Sequence, residues 1–144
     1  MSQVSVINQA PIKPGSVIIA VRLLYVSVAI VFLRGIIVGF QTTKDVPLAS
    51  IVLFMAVVSG IVCFLIYKIS QARNWARIVY LLLFVTGNGF TILPLLRSVA
   101  VYPLAGLLGI GQTILELIGL VMLFLSSSNQ WFKSSGESYR VNKF

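Results

Sequence analysis

From Val46 to Tyr67 the chain carries no charge, and it carries none again from Ile78 to Leu96. An α-helix needs about 20 consecutive apolar residues to cross the hydrocarbon of a bilayer, so each run is long enough for one crossing. A third run, Leu104 to Ser126, is broken by a single acid, Glu116. The remainder lacks the polar surface that would hold such runs in water. Of 144 residues 58% are hydrophobic and 10% charged, with a mean hydropathy of +1.02, whereas ordinary soluble domains carry about 25% charged residues. The runs therefore predict an integral membrane protein.

A fourth segment, about Ser16 to Phe40, contains Arg22 and Arg34. Helix rise sets these arginines about 18 Å apart, inside a hydrocarbon core about 30 Å thick. Each guanidinium then has about 6 Å to reach toward opposite interfaces, a distance over which arginine snorkels. The rival reading is a cleaved signal peptide. The length of the stretch, its two arginines and the lack of an A-x-A-like site before GFQTTKD disfavour it. The expected architecture is all-α, an integral membrane four-helix bundle. It has a cytoplasmic segment over 1–15, spans near 16–40, 47–69, 75–96 and 104–126, and a cytoplasmic tail over 127–144. The tail is expected to be polar and mobile or to lie on the headgroups.

Charge sets the orientation. Lys13, Arg22, Lys68, Arg73, Arg77, Lys133, Arg140 and Lys143 fall on one side of such a bundle, and Arg34, Lys44 and Arg97 on the other. Basic residues in short flanking segments stay cytoplasmic, so both termini are expected there. The net charge of +8 is thereby explained by topology and by attraction to anionic headgroups. Nucleic-acid binding would require a basic face on a soluble domain, and the chain has none. Tyr67, Trp75, Tyr80, Trp131 and Phe132 cluster at the cytoplasmic level, with Phe40 and Tyr102 near the opposite one. Trp75 and Trp131, with Arg73 and Arg77, are read as interfacial anchors, since amphipathic rings and guanidinium groups favour the headgroup region.

Lipid offers no hydrophobic drive for helices to associate, so their contact rests on small residues and a few polar bonds. Gly35 and Gly39 supply these in span one, and Ala56, Ser59, Gly60 and Cys63 in span two. Span four presents Ala105, Gly109, Gln112, Glu116 and Gly119, which at three- and four-residue spacing share one helix face. Span three is irregular. Its TGNGFT, with Asn88 between two glycines, and its Pro94 predict a bent helix.

The chain has no histidine. That removes histidine-ligated haem, the usual zinc sites and imidazole catalysis. Cys63 is the only cysteine and lies within a span, where apolar surroundings suppress thiolate chemistry. Asp45 and Glu137 stand apart from Glu116, so no carboxylate pair forms, and there is no phosphate-binding glycine loop. No cofactor and no enzymatic activity are expected.

Glu116 is the exception to the oily background. An ionised side chain at mid-membrane costs roughly 2.5–3.5 kcal/mol on insertion scales, so a partner is expected. Glu116 would sit about 14 Å from the cytoplasmic end of its helix and Arg22 about 8 Å from the same end, within mutual reach. Gln112, one turn away, and Asn88, at similar depth, complete a candidate polar cluster. An arginine-paired Glu116 would lock spans one and four together. A water-reached Glu116 would carry a proton or cation during transport.

The segments PGSVIIAVRLLYVSVAI, SQARNWARIVYLLLF and LFLSSSNQWFK resemble small four-span bacterial inner-membrane proteins of uncharacterised function. There, an arginine–tryptophan turn precedes the third span and a tryptophan–phenylalanine pair follows the fourth. Arg73, Trp75, Arg77, Trp131 and Phe132 match that pattern. The resemblance implies a topology and a bacterial plasma membrane, and it implies no activity. The leading expectation is a membrane component that works by helix association, with itself or another membrane protein. The alternative is a small oligomeric transporter or channel subunit using Glu116.

Overall fold

The computed structural model describes residues 12–42 and 47–141, and all its elements are helices. They are α1 (Gly15–Thr42), α2 (Leu48–Ser70), α3 (Asn74–Val101), α4 (Pro103–Leu123) and α5 (Ser126–Val141). Lys44, Asp45 and Lys143, and the side chains of Phe40, Glu137 and Arg140, lie outside the described residues. Three helices are long and apolar enough to cross a membrane: α1 over Gly15–Gly39, α2 and α4. α3 is bent by 50° between Asn74–Thr91 and Leu93–Val101, and its two parts taken together would make a fourth. The bend has a local cause. Pro94 lacks an N–H, and its ring presses on the carbonyl four residues back, so the helix opens just before it.

Adjacent helices run antiparallel, and glycines fix their register. A Cβ on Gly119 would stand 2.9 Å from Leu24, and one on Gly109 would stand 2.8 Å from Arg34 Cζ. Descending α4 thus follows ascending α1. Gly35 and Gly39 seat Met55 and Ile51 of α2. At Gly106 a Cβ would lie 2.6 Å from the Val99 backbone, so α3 and α4 touch there main chain to main chain.

α2 passes to α3 through a tight reversal. The Ala72 and Arg73 amides donate to the Ile69 and Lys68 carbonyls at 3.0 and 3.2 Å, the paired bonds that close a helix C-terminus around a left-handed residue. That residue is Ala72, with φ of 60°, where glycine is usual.

The segment after α4, expected as a polar tail, is helical. Trp131 and Phe132 are buried and pack edge to face with ring centroids 5.1 Å apart. Ser128, also buried, donates to the Met122 carbonyl at 2.7 Å and meets Ser16 of α1 at 2.9 Å. Ser128, Trp131 and Phe132 share a helix face, and that face turns α5 back onto the bundle. The apolar core gathers at this end, around Val17, Ala20, Leu24, Ile66, Ile69 and Leu123.

Candidate functional site

Glu116 lies on the α4 face that packs on α1, and it is 9% exposed. Its Oε1 accepts from Ser27 Oγ at 3.4 Å and from Gln112 Nε2 at 3.3 Å. Both partners are neutral. Ser27 is itself fully buried, and its single hydroxyl proton is shared between Glu116 and the nearer Leu24 carbonyl at 2.8 Å. Gln112 comes from the preceding turn of α4, where i,i+4 spacing stacks side chains.

Arg22, expected beside Glu116, is elsewhere: it is exposed. Ser27 is the α1 residue that meets Glu116, and it stands five residues beyond Arg22, about 140° round the helix. Matching depth was the right condition for contact but an incomplete one, because the two side chains must also share a face.

Asn88 joins the same region from α3. Its Oδ1 accepts from Thr113 Oγ1 at 3.3 Å, and its Nδ2 donates to the Phe84 carbonyl at 3.0 Å. Thr113 adjoins Gln112 in sequence, so Asn88 is tied to α4 beside the acid.

These groups face a cavity of about 510 Å³ between the first four helices, a volume typical of small-ligand sites. Glu116, Gln112 and Asn88 line it with Tyr80, Thr91 and Arg34. The remaining wall is apolar and includes Val31, Val58, Val62, Leu83 and Leu95. Two polar atoms at the cavity residues are buried and have no hydrogen-bond partner, Arg34 Nε and Gln112 Oε1. Among the described residues no three of His, Cys, Asp or Glu converge as a metal site would require.

The residues read as interfacial anchors divide. Trp75 is 47% exposed. Arg77 turns inward: it donates to Asn129 Oδ1 at 2.6 Å and sits over the Phe132 and Phe124 rings at 4.6 and 5.0 Å. Trp131 is buried under Lys13, whose ammonium lies 5.7 Å from its ring and donates to the Ser70 carbonyl at 3.2 Å. Burial pushes that ammonium below the ordinary lysine range. Arg73 remains at the α2–α3 reversal, where its amide closes the turn.

Ser27 and Arg34 were not singled out for this site in the sequence, yet a signal existed. They are seven residues apart, as are Glu116 and Gly109, and two turns return each pair to one face. No family model, no curated protein and no solved structure matches the chain.

Proposed function

We propose that this chain is a four-span protein of a bacterial inner membrane, both ends cytoplasmic, that takes a small solute into the cavity between its helices as a non-enzymatic transporter or channel subunit. One observation carries the reading: Glu116 borders a cavity of about 510 Å³ and is held by neutral donors. An acid retained at membrane depth beside a cavity carries a solute or ion path as its default functional reading. The bent α3 supports it, because interrupted helices line sites at membrane depth.

Thiol labelling tests the proposal. Cysteine placed singly at Gly87 or Thr91, in a Cys63→Ala background, is expected to react with a membrane-impermeant methanethiosulfonate in sealed vesicles of one orientation. Cysteine at Leu24 is expected not to react. Equal protection of all three positions contradicts the proposal.

A second reading, association with another copy or another membrane protein, draws on α2. Its buried residues are only Leu65, Ile66 and Ile69, while Leu53, Phe54, Val57 and Ile61 are exposed. Such a surface suits lipid as well as a helix partner. Purification of a stoichiometric partner held by α2 would move the balance toward association.

A further inference from the structure

The cavity is bordered by two ionisable groups of opposite sign that do not meet, and from this we infer that its ligand is a small zwitterion, one molecule bearing both an ammonium and an anionic group. The inference rests on the solute-binding reading above and names the class of solute.

Arg34 stands opposite Gly109 on α4, where a Cβ would come within 2.8 Å of its Cζ and 3.0 Å of its Nε. The absence of a side chain at Gly109 lets the guanidinium lie against α4. Glu116 is seven residues further along that helix, about 10 Å by helix rise. Between them lies Gln112, whose amide nitrogen is given to Glu116 while its buried Oε1 has no donor. The Arg34 Nε is likewise buried without an acceptor. The lining from α2 and α3 includes Val58 and Leu83, whose apolar side chains suit a hydrocarbon spacer.

Among the described residues neither Arg34 nor Glu116 has a counter-charge, and each end of the cavity favours a group of the opposite sign. A lone cation, a proton included, would answer Glu116 and leave the Arg34 donor unmet. A lone anion would answer Arg34 and leave the acceptors of Gln112 and Glu116. Water can solvate either end, but a ligand with both groups meets the two charges at once. The anion would take the guanidinium, whose donors suit carboxylate and phosphate alike, and the ammonium would take the Glu116 carboxylate. Two sources share this chemistry: an amino-acid-like solute from water, and the headgroup of a zwitterionic lipid.

The test uses the full chain in a maltoside detergent, which is itself uncharged, with thermal unfolding followed by Trp75 and Trp131 fluorescence. The probes are glycine, γ-aminobutyrate and ε-aminocaproate, each against an equimolar mixture of the matching amine and carboxylate. A parallel arm compares short-chain phosphatidylethanolamine with phosphatidylglycerol. At least one zwitterion should raise the unfolding temperature where its separated halves do not, and the arm that responds identifies the source. Arg34→Gln and Glu116→Gln should each weaken that ligand by about tenfold or more, whereas Arg22→Gln should leave it unchanged. If either neutral variant does not fold, Arg34→Lys and Glu116→Asp keep the charges while altering reach, and they should change which spacer length is preferred. Stabilisation by the separated halves equal to that by the zwitterion overturns the inference, and so does no response in either arm. If thiol labelling still finds the cavity water-accessible, only the ligand class has failed; if it does not, the solute-binding reading has failed with it.

Discussion

The two ends of this bundle are built differently. Toward the α2–α3 reversal, Val17, Ala20 and Leu24 interlock with Leu65, Ile66, Ile69, Ala76, Leu120 and Leu123, and α5 closes over them with Trp131 and Phe132. Toward the α3–α4 turn the helices meet in pairs at glycine, as at Gly39 with Ile51 and Gly106 with Val99. No comparable apolar interlock joins all of them there among the described residues, and the cavity occupies the space. The contrast separates two tasks. The solid end fixes helix order and register, and the hollow end keeps the room in which Glu116 and Arg34 remain apart.

The strongest way to break this contrast is to remove equal volume from each end. Lipid is as apolar as leucine, so the transfer part of a core deletion is small and the packing part remains. At about 24 cal/mol per Å³ over roughly 80 Å³, Leu24→Ala should destabilise by about 2 kcal/mol. Leu83→Ala, at a side chain already 47% exposed, should change stability by less than about 0.5 kcal/mol. Reversible unfolding in mixed micelles measures both, and equal losses would dissolve the distinction.

Next in size is the latch of α5. Arg77→Gln removes the 2.6 Å bond to Asn129 and the cation over two aromatic rings, a loss of about 1–2 kcal/mol. Trypsin should then cut at Lys133 faster while the cavity end keeps its thiol-labelling pattern. Ala72→Gly works in the opposite direction. It relieves a left-handed alanine at the α2–α3 reversal and should stabilise the solid end by about 1 kcal/mol.

The smallest effect sharpens the account of the site. A double-mutant cycle on Arg22→Gln and Glu116→Gln should show coupling below about 0.5 kcal/mol, since Arg22 is exposed and Ser27 takes the place beside the acid. Strong coupling would bring the arginine–glutamate bond back.

How much of this was legible in the sequence follows from which signals are local. The uncharged runs around Val46–Tyr67 and Ile78–Leu96 foretell α2 and α3, and Pro94 foretells the bend, because each acts through its own few residues. Glu116 and Gln112 were found for the same reason: one helical turn joins them. Arg22 was misplaced because depth along a helix can be counted from a sequence, whereas the face toward a neighbour depends on packing by residues such as Leu24 and Gly119. In the sequence Arg34 reads as a snorkelling charge of the non-cytoplasmic side, since its contact with Gly109 needs two helices already in register. The helix α5 was hidden by its serines, which suggest a tail until Ser128 is seen bonded to Ser16 and Met122.

Water-edited solid-state NMR on the full chain in bilayers tests the hollow and solid ends together. Magnetisation passed from water should build up early at the Glu116 and Gln112 side chains and late at Leu24 and Ile66. A build-up at Glu116 as slow as at Leu24 would mean that water does not reach the acid, and would contradict the account at its centre.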